Sequence, residues 1–237
     1  MSHLPELGTA ASSSSTSGAA PVRPPVALLL GATGLVGQHC LQLLARDPDV
    51  GAVRALVRRP LDAGSAKVEV CVTDFERLER QAEHMAVDWV FCALGTTRAK
   101  AGSRAAFRQV DFDYPLQVAR LARAQGARHF LLVSAVGADP RSWVFYNRVK
   151  GELEEAIIGM GFESVTVAQP SLLAGERQEF RPTERLGLQL GAWLPDHLRP
   201  VHASQVAACL LASAKAGQPG VHYLSNTEMR RCLPEPA

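Results

Sequence analysis

The sequence contains no run of eighteen or more apolar residues, so no membrane-spanning helix is expected. Its charge is nearly balanced. A net charge of +2 across 237 residues is too small to favour a polyanion, and no cluster of basic and aromatic residues indicates nucleic-acid binding. It also lacks a C-x-x-C pair and histidines at metal-ligand spacing, which argues against structural zinc. We therefore expect no membrane, nucleic-acid or metal partner.

Cysteines are few and scattered, with no pattern that indicates a disulfide framework. The first residues also lack the basic start and apolar core of a secretory signal. Both observations favour reduced thiols, and they predict a cytoplasmic protein. The five cysteines are Cys40, Cys71, Cys92, Cys209 and Cys232.

The two ends of the chain differ from the rest. Residues 12–18 are serine, threonine and glycine, and prolines follow at positions 21, 24 and 25. Such a segment buries too little apolar area to offset its chain entropy, so residues 1–24 are expected to be disordered. We expect residues 231–237 to form a flexible tail. Residues 25–230 are then predicted to form a single nucleotide-binding domain with a small substrate-side region at its carboxyl end.

From residue 26 onwards, short apolar runs alternate with longer amphipathic stretches. The runs predict strands at 26–30, 53–57, 67–72, 87–93, 129–134, 164–168 and 221–224. The amphipathic stretches predict helices at 34–46, 75–84, 103–125, 145–159 and 204–216. This order predicts an α/β fold with a doubly wound, mostly parallel sheet and helices on both faces.

A glycine-rich turn follows the first predicted strand. Glycines there permit a tight turn and let a pyrophosphate approach the backbone, while free N–H groups at the helix start supply hydrogen-bond donors. The turn therefore predicts a dinucleotide site; the alternative is a packing turn that binds nothing. The cofactor-binding residues predicted here are Gly31, Thr33, Gly34, Leu35, Val36 and Gly37.

Two arginines stand at the end of the second predicted strand, where proteins that bind NAD usually carry an acidic residue for the ribose 2′-hydroxyl. Arg58 and Arg59 occupy this place, and no carboxylate accompanies them. Guanidinium groups can pair with a 2′-phosphate, so the sequence predicts NADP(H) in preference to NAD(H). The alternative is a solvated pair of surface arginines.

A tyrosine and a lysine, Tyr146 and Lys150, stand four residues apart on a predicted helix and therefore on one face. A phenol titrates near pH 10, and a neighbouring ammonium favours the phenolate, which permits proton transfer at a lower pH. Ser134 ends the fifth predicted strand, at the edge of the sheet where α/β proteins bind ligands. Together with the glycine turn, these residues indicate hydride transfer with a nicotinamide cofactor.

The chain resembles the short-chain dehydrogenases/reductases of the atypical class, in particular the Tat-interacting-protein-like oxidoreductases. The resemblance runs from about residue 26 to 226, and its specific stretches are residues 31–37, 110–114, 146–152 and 177–182. It implies a Rossmann-type fold and a catalytic set of Ser134, Tyr146 and Lys150, of which the last two also contact the cofactor.

The resemblance implies further cofactor contacts as well. Asp74, with Phe75 beside it, would lie near the adenine, and residues 93–95 would pass the cofactor after the fourth strand. Residues 170–173 would border the nicotinamide. The residues implied here are Asp74, Phe75, Ala93, Leu94, Gly95, Pro170, Leu172 and Leu173.

One position departs from the wider family pattern. Many relatives carry an asparagine in the middle of the long fourth helix, where it positions a proton-relay water; this sequence has Asp111. By resemblance Asp111 belongs to the catalytic set, although a carboxylate there departs from the usual asparagine of the relay.

The expected function is that of an NADP(H)-dependent oxidoreductase acting on an unidentified carbonyl or alcohol. One alternative is a regulatory or scaffold protein that binds NADP(H) and a protein partner with little turnover. Another is an enzyme related to the nucleotide-sugar epimerases, although these normally need a larger carboxyl-terminal domain. The resemblance also leaves open a homodimer that pairs through the fourth and fifth helices.

Overall fold

The computed structural model describes residues 23–174, 195 and 198–232. The first 22 residues of the segment expected to be disordered and the last five of the expected tail lie outside this part. Residues 177–182, which carry part of the resemblance, lie outside it as well. No helix among the described residues is both long enough and apolar enough to cross a bilayer.

Seven parallel strands form the main sheet in the order β3-β2-β1-β4-β5-β6-β9. The strand order reverses between β1 and β4, which are neighbours, and a crevice for ligands is expected at their carboxyl ends. β7 and β8 pair separately. The strands are β1 Val26–Leu30, β2 Ala52–Val57, β3 Val68–Val72, β4 Trp89–Cys92, β5 His129–Val133, β6 Ser164–Gln169, β7 Leu173–Ala174, β8 Val201–His202 and β9 Gly220–Ser225.

Helices cover both faces of this sheet, as the alternating pattern predicted. One apolar core lies between the sheet and the helices α1 and α6; the other lies beneath α4, α5 and a 3-10 helical segment, Phe75–Met85. The central strand β1 is buried from both sides, which explains its uninterrupted apolar sequence. The helices are α1 Leu35–Arg46, α2 Arg98–Ala101, α3 Arg104–Arg108, α4 Tyr114–Ala124, α5 Phe145–Ile158, α6 Ala203–Ala216 and α7 Asn226–Arg231.

The single helix predicted for residues 103–125 is interrupted. A π-helical turn, Gln109–Asp113, separates α3 from α4 and ends just before Pro115. Pro115 has no N–H to continue the regular α-helical ladder, and the wider turn accommodates it. The turn brings Asp111 into the interior with no solvent exposure.

Five further elements differ from prediction, among them the two-residue strands β7 and β8, which were not predicted. The segment predicted as a helix at 75–84 is a kinked 3-10 helix, with non-helical backbone at Arg77 and Gln81. Its apolar spacing is similar to that of a short α-helix, so periodicity alone could not separate the two. The helices α2 and α7 were not predicted. α7 is only six residues long and depends on a capping box between Ser225 and Glu228.

The expectation that all five cysteines are reduced is wrong for one pair. Cys209 on α6 forms a disulfide with Cys232, which follows α7, and their Cα atoms are 6.1 Å apart. The pairing depends on α7 packing against α6, which the sequence spacing does not reveal. The other three cysteines are free and buried. Burial raises the pKa of the Cys40 thiol to about 12 and that of Cys92 to about 11, so these thiols are unreactive.

Candidate functional site

The glycine turn connects β1 to α1 and packs tightly against the end of β4. Gly31 has φ +81°, and a Cβ atom on it would lie 2.4 Å from the carbonyl oxygen of Ala93. A Cβ atom on Gly37 would lie 1.9 Å from the carbonyl oxygen of Gly31. Both glycines therefore serve the close approach of backbone segments, and they leave Gly34 at the mouth of the turn.

The start of α1 is suited to an anion. Gly34 is the N-cap residue, its position has no side chain to cap the first N–H groups, and no acidic residue lies in the first turn. The unpaired N–H groups and the positive end of the helix dipole thus face the crevice without competition from a carboxylate. A cofactor pyrophosphate fits this arrangement.

A cavity of about 680 Å³ opens at this end of the sheet, beside the turn. It brings together twelve of the residues predicted from the sequence, from both the cofactor and the catalytic sets. These are Thr33, Gly34, Leu35, Val36, Ala93, Leu94, Gly95, Asp111, Ser134, Tyr146, Lys150 and Leu173.

Lys150 and Asp111 form a buried ion pair in the wall of this cavity. The Lys150 Nζ atom lies 2.9 Å from Asp111 Oδ1, and the other carboxylate oxygen accepts a hydrogen bond from the Thr96 backbone N–H at 2.9 Å. Burial by itself lowers the pKa of Lys150, but the charge of Asp111 and the phenol of Tyr146 outweigh it, so the pKa is raised overall. Lys150 is therefore a fixed ammonium.

Gly95 permits this pair to form beneath the loop after β4. A Cβ atom at Gly95 would meet Asp111 Oδ1 at 3.3 Å and Lys150 Nζ at 3.6 Å. A larger residue would press on the ion pair. The glycine thus has a packing role as well as a place in the cavity wall.

Tyr146 lies one helical turn before Lys150, at the open side of the cavity. Its side chain is 38% exposed, and its ring packs against Phe107 with 5.7 Å between the ring centroids. The phenol is therefore held on one side and accessible on the other. Such a position is appropriate for a group that exchanges a proton with a bound substrate.

Ser134 follows β5, and its hydroxyl group is engaged inside the protein. The Oγ atom donates a hydrogen bond to Oε1 of Glu154, a residue on α5 that is 6% exposed. Gln169 Nε2 also donates to both oxygens of Glu154, at 3.1 Å each. Burial raises the pKa of Glu154, although the bonds from Ser134 and Gln169 oppose this change.

The remaining predicted residues do not line the cavity. Gly31 and Gly37 lie behind it, Arg58 and Arg59 are exposed beyond β2, and Leu172 is 48% exposed. Neither arginine forms an ion pair with another described residue, so both are available to a ligand. The others outside the wall are Asp74, Phe75 and Pro170.

Asp74, Phe75 and Pro170 all have structural roles. The Asp74 side chain accepts a hydrogen bond from the Glu76 N–H and caps the 3-10 segment, and Phe75 is buried in the core. The carbonyl oxygen of Pro170 accepts a hydrogen bond from the Val136 N–H. Their predicted contacts with a cofactor stay predictions.

The sequence did not single out several residues of the cavity. Most of them come from the loop after β4 and from α2, elements whose side-chain directions no periodic pattern specified. Glu154 was missed although it stands four residues after Lys150 and so lies on the same face of α5. The further wall residues are Gln38, Thr96, Thr97, Lys100 and Val133.

Glu69, Cys71 and His84 form a group of potential metal ligands away from the cavity. One ligand atom from each lies within 4.8 Å of the others. Arg54 Nε donates to Glu69 Oε2 at 3.2 Å, however, so a cation already accompanies the carboxylate. The group is adequately explained as an ion-pair network that joins β2, β3 and the 3-10 segment.

Comparison with known proteins identifies the family. A protein-family model described as NAD(P)H-binding matches residues 31–215, which begin at the first glycine of the turn and include every residue that lines the cavity. The chain belongs to this NAD(P)H-binding family. Since the family binds the cofactor, the dinucleotide site predicted from the glycine turn is supported over a turn that binds nothing.

Curated relatives of this NAD(P)H-binding protein agree with the resemblance found in its sequence. The rat protein HTATIP2 is 37% identical over 188 residues, which cover 78% of this chain and 77% of the relative. Protein FMP52, mitochondrial, from Candida albicans is 32% identical over 203 residues, which cover 80% and 87%. The predicted membership of the Tat-interacting-protein-like group is confirmed.

The same comparison overturns the expected cytoplasmic location. Several relatives bear the name FMP52 with the designation mitochondrial, among them the proteins of Emericella nidulans and Candida albicans. The cytoplasmic prediction was based on scattered cysteines and on the lack of a secretory signal, and neither feature distinguishes the cytoplasm from an organelle. That prediction is wrong.

Solved structures confirm the Rossmann-type fold. MoeE5 in complex with UDP-glucose and NAD has a TM-score of 0.65 at 20% identity, covering 84% of this chain and 74% of that one. UDP-glucose 4-epimerase with UDP-glucose, from Thermotoga maritima, has a TM-score of 0.66 at 14% identity, covering 84% and 76%. At these identities the likeness shows the fold alone.

Proposed function

We propose that this protein is an NADP(H)-dependent oxidoreductase that interconverts a carbonyl compound and an alcohol. The observation that supports the proposal is a shared cavity, because Ser134, Tyr146 and Lys150 line the same cavity as residues of the glycine turn. A cofactor whose pyrophosphate lies at the start of α1 would have its nicotinamide end within reach of these side chains. Membership of the NAD(P)H-binding family supports the same assignment.

Each residue has a chemical role that follows from its position in the cavity. A bound nicotinamide cofactor supplies or accepts the hydride. The accessible phenol of Tyr146 gives the proton to the substrate oxygen during reduction and takes it back during oxidation. The fixed ammonium of Lys150 stabilises negative charge on that phenol. Ser134 holds the substrate oxygen from the β5 side of the cavity.

The preference for NADP(H) is argued from charge. Arg58 and Arg59 are exposed at the end of β2, on the side of the sheet edge where the adenosine half of a dinucleotide lies in this fold, and they have no ionic partner among the described residues. Guanidinium groups pair with a phosphate through charge-assisted hydrogen bonds. The 2′-phosphate of NADP(H) could pair with both groups there, whereas NAD(H) has no phosphate at this position.

Two measurements on the purified protein test the proposal. Calorimetric titration with NADPH and NADH should give a clearly lower dissociation constant for NADPH. Turnover of a panel of aldehydes, ketones and quinones is then measured from the loss of NADPH absorbance. At least one carbonyl class should be reduced. Equal affinity for the two cofactors would overturn the NADP(H) preference alone, and tight binding without turnover would overturn the enzymatic assignment.

A second candidate is a cofactor-binding regulatory protein with little turnover. The buried Asp111–Lys150 pair favours it, because an ammonium already neutralised by a carboxylate stabilises a phenolate less well. In this case NADPH would bind tightly, and the affinity for a protein partner would change with cofactor occupancy. Pull-down with and without NADPH, combined with an inactive carbonyl panel, distinguishes this function from the first.

A further inference from the structure

Glu154 is a buried carboxylate that the proposed reaction does not use. It lies on α5 one turn after Lys150 and two turns after Tyr146, so all three side chains share one face of the helix. The residue is 6% exposed, and its carboxylate is held from two strands: by Ser134 after β5 and by Gln169 at the end of β6. A carboxylate in such a place is costly unless it has these partners.

The hydrogen bond from Ser134 determines what that serine can offer a ligand. A hydroxyl group has a single proton, and in the structure this proton points to Glu154 Oε1. Only the lone pairs of Ser134 Oγ remain for the cavity. In this state Ser134 can accept a hydrogen bond from an alcohol, but it cannot donate one to a carbonyl oxygen.

Protonation of Glu154 would reverse this arrangement. A neutral carboxylic acid can donate to Ser134 Oγ, and the serine proton is then released towards the cavity. We propose that Glu154 is a positioning residue that acts through Ser134, and that its charge decides whether Ser134 donates to a carbonyl oxygen or accepts from an alcohol. This inference rests on the proposed oxidoreductase function, because it assigns a role to Glu154 in that site.

Among the residues that the structure describes, several groups around Glu154 affect its protonation. Burial raises the pKa of Glu154; the hydrogen bonds from Ser134 and Gln169 and the charge of Lys150 lower it, and burial has the larger effect. Lys150 is already engaged by Asp111. From β9, Tyr223 interacts with Glu154 through charge: burial raises the pKa of Tyr223, and the carboxylate of Glu154 adds to this rise. Proton uptake by Glu154 is thus moved to higher pH than in an exposed glutamate.

The first test follows the reduction of 9,10-phenanthrenequinone by NADPH as a function of pH. In the wild type, the rate should fall about tenfold per pH unit above the titration of Glu154. Glu154→Gln, whose amide can donate to Ser134 at every pH, should lose this dependence and keep the rate of the low-pH form. Glu155→Gln, an exposed neighbour on α5, is the matched control and should retain the wild-type profile.

A double-mutant cycle shows whether Glu154 acts through Ser134. In a Ser134→Ala background, Glu154→Gln should change the rate by less than about twofold, since the group it controls is absent. If the effects of the two substitutions multiply instead, Glu154 does not act through Ser134 and the inference fails. An unchanged pH profile in Glu154→Gln would overturn it equally.

A spectroscopic titration separates this inference from the proposed function. In protein labelled with ¹³C-glutamate, the carboxyl resonance of Glu154 reports its titration without turnover. Ser134→Ala removes a hydrogen bond that favours the carboxylate, so the titration should move to higher pH. If this shift occurs while no carbonyl is reduced, the proposed function fails and the coupling of Glu154 to Ser134 remains; if the titration does not move, the coupling itself is disproved.

Discussion

The ammonium of Lys150 lies 2.9 Å from the carboxylate of Asp111, with the two side chains 5% and 0% exposed. The pair joins the π-helical turn to α5, and the Thr96 N–H ties the loop after β4 to the same carboxylate. Two segments that border the cavity beside the glycine turn are thus held to the helix that carries Tyr146. The geometry of the site depends on this ion pair.

We expect Asp111→Asn to destabilise the fold, because it leaves a buried ammonium without its partner. Loss of one member of such a pair costs about 3–5 kcal/mol, and the pKa of Lys150 should fall at the same time. Urea denaturation measures the stability. Lys150→Met in the same chain should recover part of the loss; if the double variant is as unstable as the sum of the single ones, the pair is not coupled.

Tyr146→Phe tests the proton-transfer role. Removing the hydroxyl group should lower turnover of a carbonyl substrate by about 10²- to 10⁴-fold, the range typical of a lost general acid. The dissociation constant for NADPH should stay within about twofold, because the ring and its packing on Phe107 are preserved. Tyr114→Phe, which removes a phenol outside the cavity wall, is the control. Equal turnover in both variants would exclude Tyr146 from the chemistry.

The arginine pair predicts a change in cofactor selectivity. With Arg58 and Arg59 both replaced by Gln, affinity for NADPH should drop by about 10- to 100-fold, corresponding to about 1.5–3 kcal/mol for hydrogen bonds to a charged phosphate. Affinity for NADH should hardly change. The control is Arg46→Gln, an exposed arginine at the far end of α1. A parallel loss of affinity for both cofactors would mean that the arginines do not recognise the 2′-phosphate.

Alanine substitutions at two glycines with positive φ distinguish the cost of backbone strain from the cost of a steric clash. Gly64→Ala should cost only the left-handed penalty of about 1–2 kcal/mol, because nothing lies within 4 Å of the new Cβ atom. Gly31→Ala meets the Ala93 carbonyl oxygen at 2.4 Å, so overpacking should add about 1–3 kcal/mol. Thermal unfolding and NADPH titration check both variants. Only Gly31→Ala should weaken NADPH binding.

Because His129 is buried, we expect the protein to lose stability at acidic pH. Burial lowers the pKa of this histidine from 6.5 to about 4, so between these values the unfolded chain binds more protons than the folded one. Stability is therefore full above pH 6.5 and declines as the pH falls towards 4, by at most about 1.4 kcal/mol per unit. Urea denaturation across this range should show the slope.

The variant His129→Gln isolates this contribution. It keeps a polar side chain near Thr166 and Ser164, which contact the histidine Nε2 atom at 2.9 and 3.1 Å, but it does not titrate. Its stability should depend less on pH than that of the wild type. His39→Gln serves as the control for a histidine outside this contact. Identical slopes for His129→Gln and the wild type would contradict the prediction.

Much of the fold followed from local pattern. The central strand β1 was predicted with its observed bounds, since a strand buried on both faces is continuously apolar. The kinked 3-10 segment and the π-helical turn were not predicted, because both keep a spacing of apolar residues close to that of an α-helix. The disulfide between Cys209 and Cys232 depends on the contact between two helices and has no sequence signature of its own.

The candidate site also has features that could be predicted from the sequence and features that required the structure. The glycine turn and the Tyr146–Lys150 pair are set by close spacing along the chain, which fixes side-chain direction once the strand and helix form. The roles of Asp111 and Glu154 required the packed structure, because their partners come from other elements and burial determines their charge interactions. The parallel sheet, the glycine turn and the placement of Tyr146 and Lys150 on one helical face could all be predicted from the sequence alone. Asp111 and Glu154 could be identified as the partners of Lys150 and Ser134 only in the folded protein, since contacts between distant segments form when the helices pack on the sheet.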